Sequence, residues 1–405
     1  MIDITESRYS KYFLFYNMYF IQGIILAICE LILPVYLFEK GFPVPLITLV
    51  IGVILIPWSI KFFWGAVIDY YIHFGRKIFI IIGGIQFASG LIAVAFLDPG
   101  EHLILFAFFL FFSMSGVVLL DVAIDAWAIE VSHENDRGKI SSSMFSGQFS
   151  GRVIGFIALS FIAQAISYGL AFITAGLIVI IITAYILVFK DAKREIQLEK
   201  IRTLLITEFK KKTTQYISIY LLIVSISAGI LTLAIPLYMK IVFHLDIAQM
   251  GLIFTIFPIA TAIGSLISGG MADKYGRKII LFIFISLSLI FSASLIFAST
   301  LQILIILYAI INFVYGGYLT VNMDVMMDIT NLRIGGIQFS FLTSIINTGA
   351  SAGEAASGTL VSLFGFSRAF LYASWFLGPV LLMLYFIKLK GRENEKKNIV
   401  DTKSF

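Results

Sequence analysis

Eight ionisable residues stand inside long apolar stretches of this sequence: Glu30, Lys61, Asp121, Asp125, Arg152, Asp324, Asp328 and Glu354. Asp121 and Asp125 are four positions apart, so on a helix they share a face. Two partly desolvated carboxylates at that spacing repel each other, which makes the pair a candidate for carrying a proton. Arg152 cannot give up its charge. It should pair with Glu30 or Asp125, or hold an anionic group of a solute. A carboxylate–arginine pair is a simple switch, because a proton on the acid releases the arginine. The plainer alternative is a fixed ion pair that ties two helices together. Asp324 and Glu354 are further candidates for binding a solute or a proton. Asp328 lies nearer the end of its stretch, where it could only join a gate.

The elements that hold these residues must be helices in lipid. The chain has 405 residues, 60% of them hydrophobic and 13% charged, with a mean hydropathy of +0.98. A soluble domain carries about 25% charged residues, and so apolar a chain needs lipid as its solvent. Twelve runs are long enough to span, at roughly 13–38, 46–66, 78–97, 103–128, 140–166, 169–189, 217–240, 249–271, 279–298, 303–328, 336–362 and 367–388; about 20 apolar helical residues cross a bilayer core. In lipid every backbone polar group must be bonded internally, and runs this long and continuous exclude barrel strands. The predicted fold is an all-α membrane protein with twelve transmembrane helices. A charge at mid-bilayer costs about 2.5–3.5 kcal/mol on insertion scales, so the residues above must be paired or must face a cavity.

Several function classes find no support. The first twelve residues are polar, and the first apolar run has no small-residue cleavage site, so no cleavable signal peptide is expected. The single cysteine, Cys29, allows no internal disulfide, and His73, His102, His133 and His244 are scattered, so no metal site is expected. There is no Walker A sequence, which argues against an ATP-driven pump. No Ser/His/Asp constellation supports an enzyme. No cofactor is expected.

Lysine and arginine set the orientation. With these spans 24 of the 29 basic residues fall on the side of the termini, three (Lys40, Lys240 and Arg368) fall opposite, and Lys61 and Arg152 lie within spans. The positive-inside rule then predicts a multi-pass protein of the cell membrane with both termini cytoplasmic. The same asymmetry explains the basic pI without nucleic acid as a partner. Residues 190–216 carry Lys190, Lys193, Arg194, Lys200, Arg202 and Lys210–Lys212, with Ile196, Leu198, Ile201, Leu205 and Phe209 at roughly helical spacing. This connection is expected to be an amphipathic surface helix or a solvated linker. The domain plan is a six-helix bundle over 1–189, the linker 190–216, a second bundle over 217–390 and a tail over 391–405.

The two halves repeat at an offset of about 202 residues. Pro34-Val35-Tyr36 matches Pro236-Leu237-Tyr238, and Gly65 to Asp69 matches Gly269 to Asp273. Gly75-Arg76-Lys77 matches Gly276-Arg277-Lys278, and Asp121 to Asp125 matches Asp324 to Asp328. Gly147 and Gly151-Arg152 match Gly349 and Gly353-Glu354. Each half has six spans, so both share one orientation and are related by an axis along the membrane normal. Parallel halves with a site between them near the midplane are a transporter plan. The stripes Gly147/Gly151/Gly155 and Gly349/Gly353 predict close helix packing, and Pro34 and Pro236 predict bends.

Glycine, three residues, aspartate and then Gly-Arg-Lys, present after the second span of both halves, resembles the signature loop of the major facilitator superfamily. The first copy has three extra residues between Asp69 and Gly75. Residues 57–155, with Asp121-Val-Ala-Ile-Asp125-Ala-Trp127, Asp136-Arg137-Gly138 and Gly147 to Arg152, are similar to the muropeptide-permease and acetyl-CoA-transporter branch. The resemblance implies alternating access driven by an ion gradient, usually protons, with a small-molecule substrate, lipid surroundings and a monomeric state. It places spans 1, 4, 7 and 10 along the cavity, so that Glu30, Asp121, Asp125, Asp324 and Asp328 face it. Tyr16, Gln22, Tyr36, Asn312, Tyr315 and Asn347 could add polar lining. Gly65, Asp69, Arg76, Lys77, Gly269, Asp273, Arg277 and Lys278 are the gating candidates. Asp69 and Asp273 can meet a helix N-terminus of the other half, and the basic residues can pair with acids or lipid phosphates. The expected activity is proton-coupled symport of a small polar solute: a sugar, an amino-sugar or muropeptide-like compound, or an organic anion. An exporter on the same fold and a non-transporting sensor or scaffold are the competing readings.

Overall fold

A computed structural model of the chain describes residues 8–131, 137–191, 207–331 and 335–386. These fold into helices at all twelve positions where an apolar run was expected. We number them α1 (Tyr9–Glu39), α2 (Val44–Ile54, Ile56–Ser59 and Lys61–Tyr70), α3 (Lys77–Val94), α4 (Pro99–Val131), α5 (Arg137–Ala165) and α6 (Tyr168–Val188) in the first half. The second half has α7 (Lys212–Val242), α8 (Ile247–Tyr275), α9 (Arg277–Phe297), α10 (Leu301–Ile329), α11 (Gly335–Phe364) and α12 (Phe366–Phe386). Ten of the twelve are long and apolar enough to cross a membrane. The other two depart from the expectation of uniform spans. α2 is broken at Leu55 and at Ile60, leaving Val44–Ile54 as its longest apolar piece. α11 is continuous for 30 residues but is too rich in Ser, Thr, Gly and Asn to qualify. Both helices face the interface between the halves, where polar surface and irregular backbone need not meet lipid.

Glycine stripes build each half. A Cβ on Gly147 would stand 2.1 Å from the Tyr16 carbonyl oxygen, and one on Gly151 would stand 2.1 Å from that of Phe20. In the second half the same construction on Gly349 and Gly353 would meet the carbonyls of Leu222 and Ile226, each at 2.3 Å. The stripes therefore press α5 onto α1 and α11 onto α7, backbone against backbone, as their spacing suggested.

α1 is not a regular helix. Ile28–Ile32 form a π-helical turn, in which the Leu33 N–H bonds the Ile28 carbonyl five residues back. Pro34 follows at once. It has no N–H to return to Glu30, and its ring crowds the preceding turn. The wider turn relieves that conflict, and such turns gather at functional positions. Glu30 sits within it.

The halves meet mainly at the end of the bundle opposite the described termini. α11 packs on α2 chiefly over Val44–Ile54, and α5 packs on α8 chiefly over Ile247–Phe254. Gly52 abuts Ala355, Gly358 abuts Thr48, and Gly251 abuts Phe156 and Ser160. The Thr48 hydroxyl accepts from the Gly358 N–H at 3.1 Å. At the rim Lys240 Nζ bonds Glu39 Oε1 at 2.5 Å, and Tyr168 donates to the other Glu39 oxygen at 2.7 Å. Most of the expected linker, and the tail 391–405, lie outside the described residues.

Candidate functional site

Between the halves, at mid-depth, lies a cavity of about 280 Å³. Residues from α1, α2, α5, α7, α8, α9, α10 and α11 line it. The first half contributes Glu30, Trp58, Gln148 and Arg152; the second contributes Ser227, Thr232, Ser288, Tyr308, Asn312, Tyr315, Asn347, Ser351 and Glu354. Polar groups are thus gathered in a wall that is otherwise aromatic and aliphatic, the usual make-up of a small-molecule site.

The structure pairs Arg152 with Glu30. Arg152 Nη2 donates to Glu30 Oε1 at 2.6 Å, and each side chain remains about one-fifth exposed to the cavity. Arg152 Nε is buried and has no hydrogen-bond partner. The π-helical turn of α1 supplies the acid, and the glycine contact of α5 holds the base beside it. On the other wall Glu354 is 8% exposed, and its Oε2 has no hydrogen-bond partner. Arg152 and Glu354 follow Gly151 and Gly353, so they occupy equivalent turns of α5 and α11. Thr232 is the counterpart of Glu30 at the 202-residue offset, and it too lines the cavity.

Asp121 and Asp125 lie elsewhere. Lys61 Nζ donates to Asp121 Oδ2 at 3.2 Å and stands 3.8 Å from Asp125 Oδ2. Tyr19 donates a hydrogen bond to Asp125 Oδ1. This group joins α1, α2 and α4 inside the first half, and neither carboxylate lines the central cavity. Of the partners considered for Arg152 the structure therefore takes Glu30 and not Asp125, because Lys61 takes both acids of α4. Asp324, half-buried, lies near Arg277 and Asp273 and away from the cavity. Asp328 pairs with Arg277.

The basic residues of the signature loops make parallel contacts in the two halves. Arg76 at the start of α3 binds Glu130 at the end of α4, with Nη2 at 2.8 Å and Nε at 3.1 Å from Oε1. Arg277 at the start of α9 binds Asp328 at the end of α10. Lys77 Nζ donates to the Phe189 carbonyl at 2.8 Å, and Lys278 Nζ donates to the Tyr385 carbonyl at 2.8 Å, so each lysine caps the last turn of the sixth helix of its half. In the first half Asp191 also accepts the Lys77 N–H at 2.9 Å, above Gly75, whose φ is +86°. A Cβ on Gly65 or Gly269 would find its nearest neighbour at 3.8 Å, on Val122 and Thr320 respectively. The helices therefore do not need glycine for close approach at those two positions in this state. The side chain of Asp69, and Asp136, lie outside the described residues.

Asn312, Tyr315 and Asn347 line the cavity, whereas Tyr16 bonds Ser150, Gln22 accepts from Gln148 and Tyr36 stacks on Tyr168. Trp58, Gln148, Thr232 and Tyr308 were not anticipated. The repeat offset points to Thr232 once Glu30 is known; the other three belong to no charge pattern or repeated motif.

Two six-helix bundles around a cavity that holds a partly exposed ion pair have the architecture of a membrane carrier. The chain belongs to the major facilitator superfamily: the model of that family matches residues 11–216 and, a second time, 217–404. Its fold is similar to the crystal structure of a D-xylose–proton symporter, with TM-score 0.77 at 14% identity over 94% of this chain and 98% of that one. It is similar to the nucleoside transporter NupG, with TM-score 0.74 at 14% identity over 94% and 98% of the two chains. It also resembles a bacterial homologue of the human lysosomal transporter Spinster in an inward-facing, occupied conformation, with TM-score 0.74 at 14% identity over 94% and 97%.

Proposed function

We propose that the chain is a proton-coupled symporter of a small polar solute of the sugar, amino-sugar or organic-anion kind. The observation that carries this reading is the Glu30–Arg152 pair facing a mid-membrane cavity between the halves. A proton on Glu30 removes the charge that holds the guanidinium, and Arg152 becomes available to an oxygen of the solute. Proton and solute then favour the same occupied state, which is what coupling requires. Closure at the far end, with the termini cytoplasmic, corresponds to an inward-facing carrier. Arg76, Lys77, Arg277 and Lys278 act in gating by holding the ends of their own halves rigid while the halves rock. The muropeptide-permease resemblance gives the outer bound on size. A cavity of about 280 Å³ suits a monosaccharide-sized solute, and a full muropeptide would require it to widen.

The test is uptake into proteoliposomes with an imposed pH gradient, using labelled glucose, glucosamine and gluconate. The wild-type protein should accumulate a member of this panel against its gradient and lose that ability on addition of a protonophore. Glu30→Gln should abolish accumulation yet keep solute exchange at equal pH, since Gln imitates the protonated acid. Accumulation that survives both the protonophore and Glu30→Gln would refute proton coupling through this pair.

A further inference from the structure

We infer that the solute carries a protonated amine, which Glu354 holds, together with an oxygen acceptor that meets Arg152 Nε. The inference rests on the cavity being the substrate site and narrows the small polar solutes proposed for it to those that bear an amine.

Two orphaned, buried polar atoms of opposite kind belong to side chains that line this cavity from its two walls. Glu354 Oε2 is an acceptor without a donor, on a side chain more than nine-tenths buried. Arg152 Nε–H is a donor without an acceptor. Neither helix can rotate its charge away, because Gly151 and Gly353 lie against the backbones of α1 and α7. The two positions are repeats of each other, yet one is basic and one acidic, so the site is two-ended where the fold is symmetric.

Charge balance gives the sign of the missing group. Glu30 and Arg152 neutralise each other at 2.6 Å. Glu354 is then the acid among the cavity-lining residues that has no ion-pair partner, with Glu30 and Arg152 as the charges that act on it. A buried carboxylate needs a cation or a proton. A solute ammonium supplies both a counter-charge and a donor for Oε2, and Tyr308 and Tyr315 in the wall add aromatic rings that attract a cation. A neutral sugar leaves the carboxylate without a counter-charge. A simple organic anion brings a second negative group beside it and is repelled. An amino sugar or amino acid satisfies both orphaned atoms at once.

The test is isothermal titration calorimetry on the purified full chain with matched solutes that differ in the amine: glucosamine, N-acetylglucosamine and glucose, and alanine with lactate. For at least one pair the amine-bearing member should bind at least about tenfold tighter. Glu354→Gln should erase that preference without lowering the melting temperature, and Glu354→Asp should retain part of it. Equal binding within every pair, or a preference that survives Glu354→Gln, would overturn the inference. Gradient-driven uptake of glucose with no amine preference would reject this inference and leave symport standing. An amine preference without gradient-driven uptake would do the reverse.

Discussion

Lys61 is the residue whose role the geometry defines most sharply. It lies 8% exposed between Asp121, 3% exposed, and Asp125, whose other oxygen receives Tyr19. Removing one member of a buried ion pair leaves an uncompensated charge, at a typical penalty of about 3–5 kcal/mol. Asp125 keeps roughly a third of its side chain exposed, which moves the expectation toward the lower figure. Lys61→Met should therefore lower the melting temperature in detergent clearly, and adding Asp121→Asn should restore part of the loss. A double variant no more stable than the single would show that the lysine and this acid do not couple. Sixty positions separate Lys61 from Asp121. The chain marks both as charges in lipid, but which acid takes which base is a matter of helix packing, so the pairing was not legible beforehand.

At the scale of elements, the crossings α1–α5 and α7–α11 carry the site. The Gly-xxx-Gly spacing announces them in the sequence, since only a side chain of one hydrogen permits carbonyl oxygens this close. One change at two positions separates packing glycines from incidental ones. Gly151→Ala places a methyl 2.1 Å from the Phe20 carbonyl oxygen, a backbone atom that cannot step aside. It should destabilise by about 1–3 kcal/mol, as overpacking does, and disturb the Glu30–Arg152 pair. Gly270→Ala has nothing within 4 Å and should be neutral or stabilising by about 0.5–1 kcal/mol. Thermal unfolding of the two variants side by side reads the contrast; equal shifts would contradict the backbone contact. The π-helical turn was only half legible: Pro34 signals a bend, but whether the helix answers with a kink or a wider turn depends on what α5 and α7 present to it.

For the whole molecule, the pattern of contacts between the halves describes one state of a moving device. α2 meets α11, and α5 meets α8, mainly at the far end, where Lys240 and Glu39 bridge the halves. Rocking must break these contacts to expose the cavity on that side. A short bis-maleimide between cysteines at Glu39→Cys and Lys240→Cys should therefore arrest transport while leaving solute binding from the terminal side intact; the single native cysteine, Cys29, is buried. Transport at the wild-type rate by fully cross-linked protein would show that this end need not open.

Residue types and their period were enough to set the number of helices, the repeat and the glycine stripes, and to mark Glu30, Arg152 and Glu354, the three charged residues that line the cavity. These are local consequences: a helix needs only its own length in lipid, and a duplication writes itself twice. The tertiary structure decided that Arg152 faces Glu30 and not Asp125, that Glu354 is left without a cation, and that α2 is broken where it meets α11. Each of these depends on distances between helices remote in sequence. Such distances follow from how six helices pack in each half and how the halves meet, and no spacing along one chain encodes them.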